Sequence, residues 1–283
     1  MNFTTVLVAN RGEIAIRIIR AAAGLGLRTV AIYSDDDASS LHTRMADEER
    51  PLNGVGIPPY LDTDLLIQVA KDSGCDAIHP GYGFLAESPE FARRCGEEGI
   101  TYIGPSVENL ELFGDKGRAR SAAEAADVPI MKGIDEPVTV EEAHEFFESL
   151  GANGAMMLKA IAGGGGRGSR VVTSADEIER SYRRAQSEAK RSFGNGDLYV
   201  EELVQKARHV EVQILGDTDG MIVHLGEREC TIQRRHQKIV EIAPAPNLTG
   251  ELRTQIIDAA LRLARSVGYT NLGTFEFLVS DDS

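Results

Sequence analysis

The sequence is short of cysteine, of positive charge and of long apolar runs, and each shortage removes a class of function. Only three cysteines occur, Cys75, Cys95 and Cys230. They are odd in number, scattered, and form no Cys-x-x-Cys pair, so neither a disulfide framework nor a zinc site is expected. Lys and Arg total 30 against 44 Asp and Glu, a formal net charge of −14. That balance argues against nucleic acid or an anionic membrane as the main partner, although local basic clusters can still hold small anions. No apolar run approaches the roughly 20 residues that span a bilayer. The opening stretch MNFTTVLVAN has no basic segment ahead of an apolar one, so no secretion signal is expected and the cytoplasm is the expected compartment. Two phosphate fingerprints are also missing. The turn after the first expected strand reads Asn10-Arg11-Gly12-Glu13 in place of Gly-x-Gly-x-x-Gly, which excludes a dinucleotide site there. No glycine loop ends in Gly-Lys-Ser/Thr, which excludes a P-loop.

What is present reads as a globular α/β chain. Its 283 residues are 42% hydrophobic, enough for about two domains. Phe3 to Ala9 is rich in Val and Leu and reads as a buried strand. Glu13 to Ala23 places Ile14 and Ile18 at helical spacing, Gly24 and Gly26 stop it, and Thr29 to Tyr33 is a second strand. This βαβ unit opens a doubly wound, Rossmann-like parallel sheet. Ser34 to Asp37 reads as a solvated loop, with metal binding by its adjacent acids as the alternative. Asp76 to His79 is a short strand ending in the loop His79-Pro-Gly-Tyr-Gly-Phe-Leu-Ala-Glu87. Open α/β sheets place functional loops at that edge. His79 reads as a structural loop histidine, with catalysis as the alternative. A domain boundary is expected near Gly104-Pro105.

The second half is organised around Lys159-Ala-Ile-Ala-Gly-Gly-Gly-Gly-Arg-Gly-Ser-Arg170. Gly163, Gly164, Gly165, Gly166 and Gly168 leave an unshielded backbone whose N–H groups can approach an anion. Lys159 and Arg167 add positive charge, and the apolar runs on both sides favour a strand-to-strand loop that holds phosphate, with a flexible linker as the alternative. Thr139 reads as the cap of a helix to Leu150, with Glu141 and Glu142 in its first turn. Ser174 reads as the cap of another, Ala175 to Arg191. Residues of about 130 to 203 thus form a small α+β lid. Along 207–215, Val210, Val212 and Ile214 alternate with His209, Glu211 and Gln213. Arg234, Arg235, His236 and Lys238 then crowd cationic groups together. If Arg234 to Val240 is extended, His236 and Lys238 share a face. Such crowding is costly unless acids or a bound anion sit opposite. Thr249 caps a helix to Val267. In the last strand, Leu272 to Val279, Glu276 points away from Phe275 and Phe277. That is the pattern of a carboxylate holding Mg²⁺ against nucleotide phosphates, or of a solvent-facing glutamate.

Eight segments, in order, resemble biotin carboxylase, an ATP-grasp enzyme of biotin-dependent acyl-CoA, pyruvate and related carboxylases. They are Val8-Ala-Asn-Arg-Gly-Glu-Ile-Ala15, His79-Pro-Gly-Tyr-Gly-Phe-Leu85, Gly114-Asp-Lys116, the Lys159–Arg170 loop, Arg208-His-Val-Glu211, Gln233-Arg-Arg-His-Gln-Lys238, Ala243-Pro-Ala-Pro246 and Gly273-Thr-Phe-Glu-Phe277. The resemblance implies a pre-ATP-grasp domain over 1–110 and an ATP-grasp domain over 111–283. It implies that Lys116 and Lys159 contact ATP phosphates and that the glycine loop closes over them. Glu201, Glu202, Leu203 and Val204 would meet the adenine edge through backbone groups. Glu202 and Val204 stand where relatives often carry lysine and leucine. His209, Gln233 and His236 would belong to the nucleotide pocket, Lys238 would hold bicarbonate, and Glu276 would hold Mg²⁺ or Mn²⁺. The implied activity is ATP-dependent carboxylation of biotin on a carrier protein or domain through carboxyphosphate, with a carboxyltransferase as further partner and a homodimer as the assembly. In the family a second metal ligand, the general base and a biotin-contacting arginine lie beyond the position of Ser283. The ATP-grasp domain is therefore expected to be incomplete and the chain inactive by itself. Two alternatives stay open: another ATP-grasp ligase of the carbamoyl-phosphate or purine type, or a non-catalytic module for nucleotide binding or subunit contact.

Overall fold

The computed structural model describes residues 3–152, 154–162, 168–204, 206–234 and 237–280. They fall into two compact units, one of 1–122, 213–225 and 263–273, the other of 123–212, 226–262 and 274–283. The first unit begins β1 (Thr5–Val8), α1 (Gly12–Gly24), β2 (Arg28–Tyr33), α2 (Leu41–Met45), β3 (Glu48–Pro51), α3 (Thr63–Asp72), β4 (Ala77–His79), α4 (Pro89–Glu97), β5 (Thr101–Tyr102), α5 (Val107–Gly114) and α6 (Lys116–Ala125). The strands form one parallel sheet in the order β3-β2-β1-β4-β5. Period-two alternation gives each strand two apolar faces. Leu7, Val30, Ile32 and Ile78 pack with Leu66 of α3 and Phe91 and Cys95 of α4. Val8 and Ala31 pack on the opposite side with Ala15, Ile18 and Ile19 of α1.

The strand order reverses between β1 and β4, and the loops that follow them are tied together there. The Asn10 side chain donates to the carbonyls of Pro80 at 2.7 Å and Tyr82 at 2.9 Å. Gly81 has φ +71°, and a Cβ on it would lie 2.7 Å from Asn10 Nδ2, so only glycine fits both the turn and the contact. The Ser34–Asp37 stretch differs from the solvated loop expected. It is a 3₁₀ turn with Ser34 and Asp37 buried. Asp37 is neutralised by Arg11, with Nε 2.8 Å from Oδ2, and accepts a hydrogen bond from the Tyr60 hydroxyl at 2.9 Å. A carboxylate satisfied this way can be buried.

The second unit holds an antiparallel sheet in the order β6-β9-β7-β8, built from β6 (Gly133–Ile134), β7 (Met156–Ala160), β8 (Arg170–Val172) and β9 (Leu198–Glu202). Helices α7 (Val140–Ser149) and α8 (Ile178–Phe193) cover it. A reciprocal capping box of Thr139 and Glu142 starts α7. Ser174 does not cap the helix expected after it. A 3₁₀ turn over Ala175–Glu177 intervenes, and the Ser174 hydroxyl turns to Asp176. Leu158, Ile178 and Leu198 are fully buried between sheet and helices. Truncating one such side chain to alanine costs about 2–5 kcal/mol.

The chain continues through β10 (Arg208–Gly216), β11 (Ile222–Glu229), β12 (Gln233–Arg234), β13 (Gln237–Lys238), α9 (Gly250–Ser266) and β14 (Asn271–Val279). β11, β10 and β14 form a three-stranded sheet in that order. β12 and β13 pair antiparallel, with Gln233 opposite Lys238. Arg234 to Val240 is therefore not one extended run, because the chain reverses between β12 and β13.

Candidate active site

The polar face of β10 builds the site. Val210 and Val212 are fully buried on the other face, which fixes the register and presents His209 and Glu211 together. Glu211 is only 2% exposed. Its Oε1 accepts from Arg228 Nε at 2.8 Å, and its Oε2 accepts from Lys238 Nζ at 2.5 Å. Lys238 also reaches Glu276 Oε2 on β14 at 2.9 Å. The other oxygen of Glu276 lies 2.6 Å from His209 Nδ1. Arg228 extends the set to Glu241 at 3.2 Å. Two adjacent strands, β10 and β14, thus converge on the Lys238 ammonium of the hairpin, and Arg228 of β11 meets Glu211 from the other side of β10. The acids that a crowded cationic cluster requires are Glu211 and Glu276.

Electrostatics follow from this placement. Burial alone would lower the Lys238 pKa, but hydrogen bonds to Glu211 and Glu276, with their charges, push it above the ordinary lysine value. Burial alone would raise Glu276. Hydrogen bonds from His209 and Lys238, with their charges, hold it below the usual carboxylate value. Cys230 is fully buried, and desolvation followed by the Glu211 charge pushes its thiol up to about 11. It is not a nucleophile at neutral pH.

Supporting contacts fix the hairpin. Gln233 donates to the Cys230 carbonyl at 3.1 Å, and the His209 amide donates to the Thr231 hydroxyl at 2.9 Å. Arg208 bridges Glu229, at 3.1 Å from Nε, to the Asn247 carbonyl at 3.3 Å. In the small sheet, Lys159 at the end of β7 is bonded to Glu201 of β9. The Glu202 and Leu203 amides are already used by the carbonyls of Lys132 and Ala155, each at 2.8 Å. Gly168 has φ +72°, and a Cβ there would stand 2.9 Å from that of Ala160.

The structure thus brings His209, Lys238 and Glu276 into one network, with Gln233 on the adjoining hairpin. Lys159 and Glu201 form a separate pair on the small sheet; Glu202 ends β9, and Leu203, Val204 and Gly168 lie outside its strands in the same unit. Lys116 is exposed at the start of α6, in the first compact unit. Gly163, Gly164, Gly165, Gly166 and His236 lie outside the described residues. His79 is the last residue of β4 and not a loop residue as expected, and its Nδ1 accepts from the Gly81 amide at 3.1 Å. Glu211 and Arg228 were not singled out from sequence. A signal for Glu211 existed: an acid on the His209 face of a strand, ahead of a cationic cluster.

Comparison with known proteins decides the family. A model of the biotin carboxylase N-terminal domain matches residues 2–110, and one of the carbamoyl-phosphate synthase L chain ATP-binding domain matches 115–283. The chain belongs to the biotin carboxylase family. Among its relatives, pyruvate carboxylase of Staphylococcus aureus is 53% identical over 281 residues, 98% of this chain and 24% of that protein. Human mitochondrial pyruvate carboxylase is 54% identical over 278 residues, covering 97% and 23%. The chain therefore spans about a quarter of the length of the curated relatives it matches. Among solved structures, a β,γ-ATP complex of biotin carboxylase from Campylobacter jejuni is 40% identical with a TM-score of 0.91, covering 99% of this chain and 63% of that one. The biotin carboxylase domain dimer of Hydrogenobacter thermophilus 2-oxoglutarate carboxylase, in complex with MgADP, ADP and bicarbonate, is 45% identical with a TM-score of 0.86, covering 99% and 62%. Both the parallel sheet and the antiparallel ATP-grasp region are those of the biotin carboxylase fold.

Proposed function

We propose that this chain supplies the ATP- and bicarbonate-binding portion of a biotin carboxylase, which carboxylates biotin on a carrier at the expense of ATP as the first half-reaction of a biotin-dependent carboxylase. The observation that carries the reading is Lys238, a cation aimed by two carboxylates from adjacent strands. Bicarbonate is a weak acceptor and both substrates are anions, so the site must first neutralise and align them. In this reading Lys238 binds bicarbonate. Lys116, Lys159 and the glycine loop Gly163 to Gly168 hold the phosphates. The segment Glu201 to Val204 meets the base, with His209, Gln233 and His236 beside the nucleotide. Glu211 positions Lys238, and Glu276 orients His209. Closure of the glycine loop would keep water from carboxyphosphate until its CO₂ passes to N1 of biotin.

The donors also fit Mg²⁺ or Mn²⁺. Glu276 offers hard carboxylate oxygen and its side chain is 38% exposed, so a hydrated cation can reach it. Bound there, the cation would supply neutralisation of phosphate charge. A biotin carboxyl carrier, a carboxyltransferase, a homodimer and a cytoplasmic setting belong to the same proposal. So does a division near residue 110 into an N-terminal domain and an ATP-grasp domain with a lid of about 130–203. No helix among the described residues is long and apolar enough to cross a membrane.

Calorimetry with Mg²⁺ and a non-hydrolysable ATP analogue tests the reading. One equivalent should bind, and Lys159→Gln should weaken binding at least tenfold. Bicarbonate binding should disappear in Lys238→Gln while the nucleotide still binds. Failure of the wild-type chain to bind the nucleotide would refute the proposal.

A further inference from the structure

Cys230 is a donor that this chemistry does not use. It follows β11, is fully buried, and places its Sγ 3.8 Å from Glu211 Oε2. One donor atom each from Glu211, Cys230 and Glu276 lie within 4.8 Å of one another. This is not merely an acidic patch, because the set mixes hard carboxylate with soft sulfur. The two carboxylates also converge on a single cation already, since the Lys238 ammonium sits 2.5 Å from one and 2.9 Å from the other. His209 Nδ1, 2.6 Å from Glu276, is a nitrogen donor at the rim.

We propose that Glu211, Cys230 and Glu276 form a site for a soft or borderline divalent cation of the zinc, cadmium or cobalt class. Tetrahedral zinc holds sulfur at about 2.3 Å and carboxylate oxygen at about 2.0–2.2 Å, so neighbouring donors stand roughly 3.5 Å apart. Closing from 4.8 Å requires side-chain rotation, not strand movement, since all three residues sit on or beside one sheet. Water or His209 completes four-coordination. The bond to sulfur forms as the thiol proton passes to solvent, with no change of oxidation state. Mg²⁺ gains little from a thiol, so sulfur separates this site from one that uses Glu276 oxygen alone. The donors come from separate strands, so no Cys-x-x-Cys spacing announces them. The incoming cation must displace Lys238 from both carboxylates. Its inhibitory consequence rests on the proposed function, whereas the site itself does not: zinc would remove Glu276 and the two anchors of Lys238 together.

Titration of the purified chain with Co²⁺ tests the site. One equivalent should produce the near-ultraviolet thiolate-to-cobalt charge-transfer band. Zn²⁺ should displace it and excess Mg²⁺ should not. Cys230→Ser should abolish the band and weaken Zn²⁺ at least tenfold. Affinity for the Mg²⁺–nucleotide analogue, measured on the same variant, should stay unchanged. Either no thiolate band with the wild-type chain or a band that survives Cys230→Ser would overturn the proposal. Loss of nucleotide binding by the wild-type chain would instead count against the carboxylase reading.

Discussion

Replacing Glu211 by glutamine should destabilise the second compact unit more than any other isosteric change in the site. The carboxylate is almost fully buried and holds Lys238 and Arg228, whose side chains are 32% and 28% exposed. Hydrogen bonds between charged groups contribute about 1.5–3 kcal/mol each. Two contacts from Arg228 and one from Lys238 reach the carboxylate, both cations keep partial access to water, and glutamine retains one acceptor, so roughly half of the sum should be lost, about 3 kcal/mol. This agrees with the ~3–5 kcal/mol measured when one member of a buried pair is removed. For a chain of this size the loss corresponds to a fall in Tm of roughly 6–10 °C. Thermal unfolding followed by circular dichroism at neutral pH reads it directly. Lys238→Met and the double variant close the cycle, and a coupling of about 1–3 kcal/mol is expected for groups in contact. A Glu211→Gln variant melting within about 1 °C of wild type would refute the assignment of Glu211 as the buried anchor of Lys238.

Burial pushes the His79 pKa down to about 4. Its NMR ring signals should stay fixed from pH 8 to about 5 and move only near that value. The unfolded histidine titrates near 6.5, so it binds protons before the folded one, and stability falls as pH drops from about 6.5 towards 4. His79→Gln should remove that component from an acid titration. Glu276 has the opposite cause and an acid-side signature: its pKa is depressed in the fold, so its contribution is present above the unfolded value of about 4.3 and is lost as pH falls through the lower folded value. Glu276→Gln should flatten that limb of the stability curve. Gly168→Ala combines a positive φ with a Cβ contact at 2.9 Å and should cost about 1–3 kcal/mol in thermal unfolding.

Legibility from sequence followed the range of the interactions. β10 was readable because Val210, Val212 and Ile214 alternate with polar residues, and α7 because Thr139 and Glu142 form their cap locally. The doubly wound sheet was readable from its strand–helix–strand order. Asp37 was misread because its neutralising partner Arg11 lies 26 residues away, after a different strand. The β12–β13 pairing was not legible, and Arg234 to Val240 could be read only conditionally as extended, because no Asn-Gly or Asp-Gly marks a reversal. Glu211 was passed over because Lys238, the residue that gives it meaning, comes 27 positions later.

The alternation of β10 also constrains how this protein can change. His209 and Glu211 occupy the same strand as Val210 and Val212, one step out of phase. Removing or adding one residue just before the strand would exchange the two sets, sending a carboxylate and an imidazole into the apolar layer and valines into the site. Substitutions can be tried one at a time, but length cannot. The segment leading into β10 should tolerate varied side chains and reject single-residue insertions and deletions in a deep mutational scan.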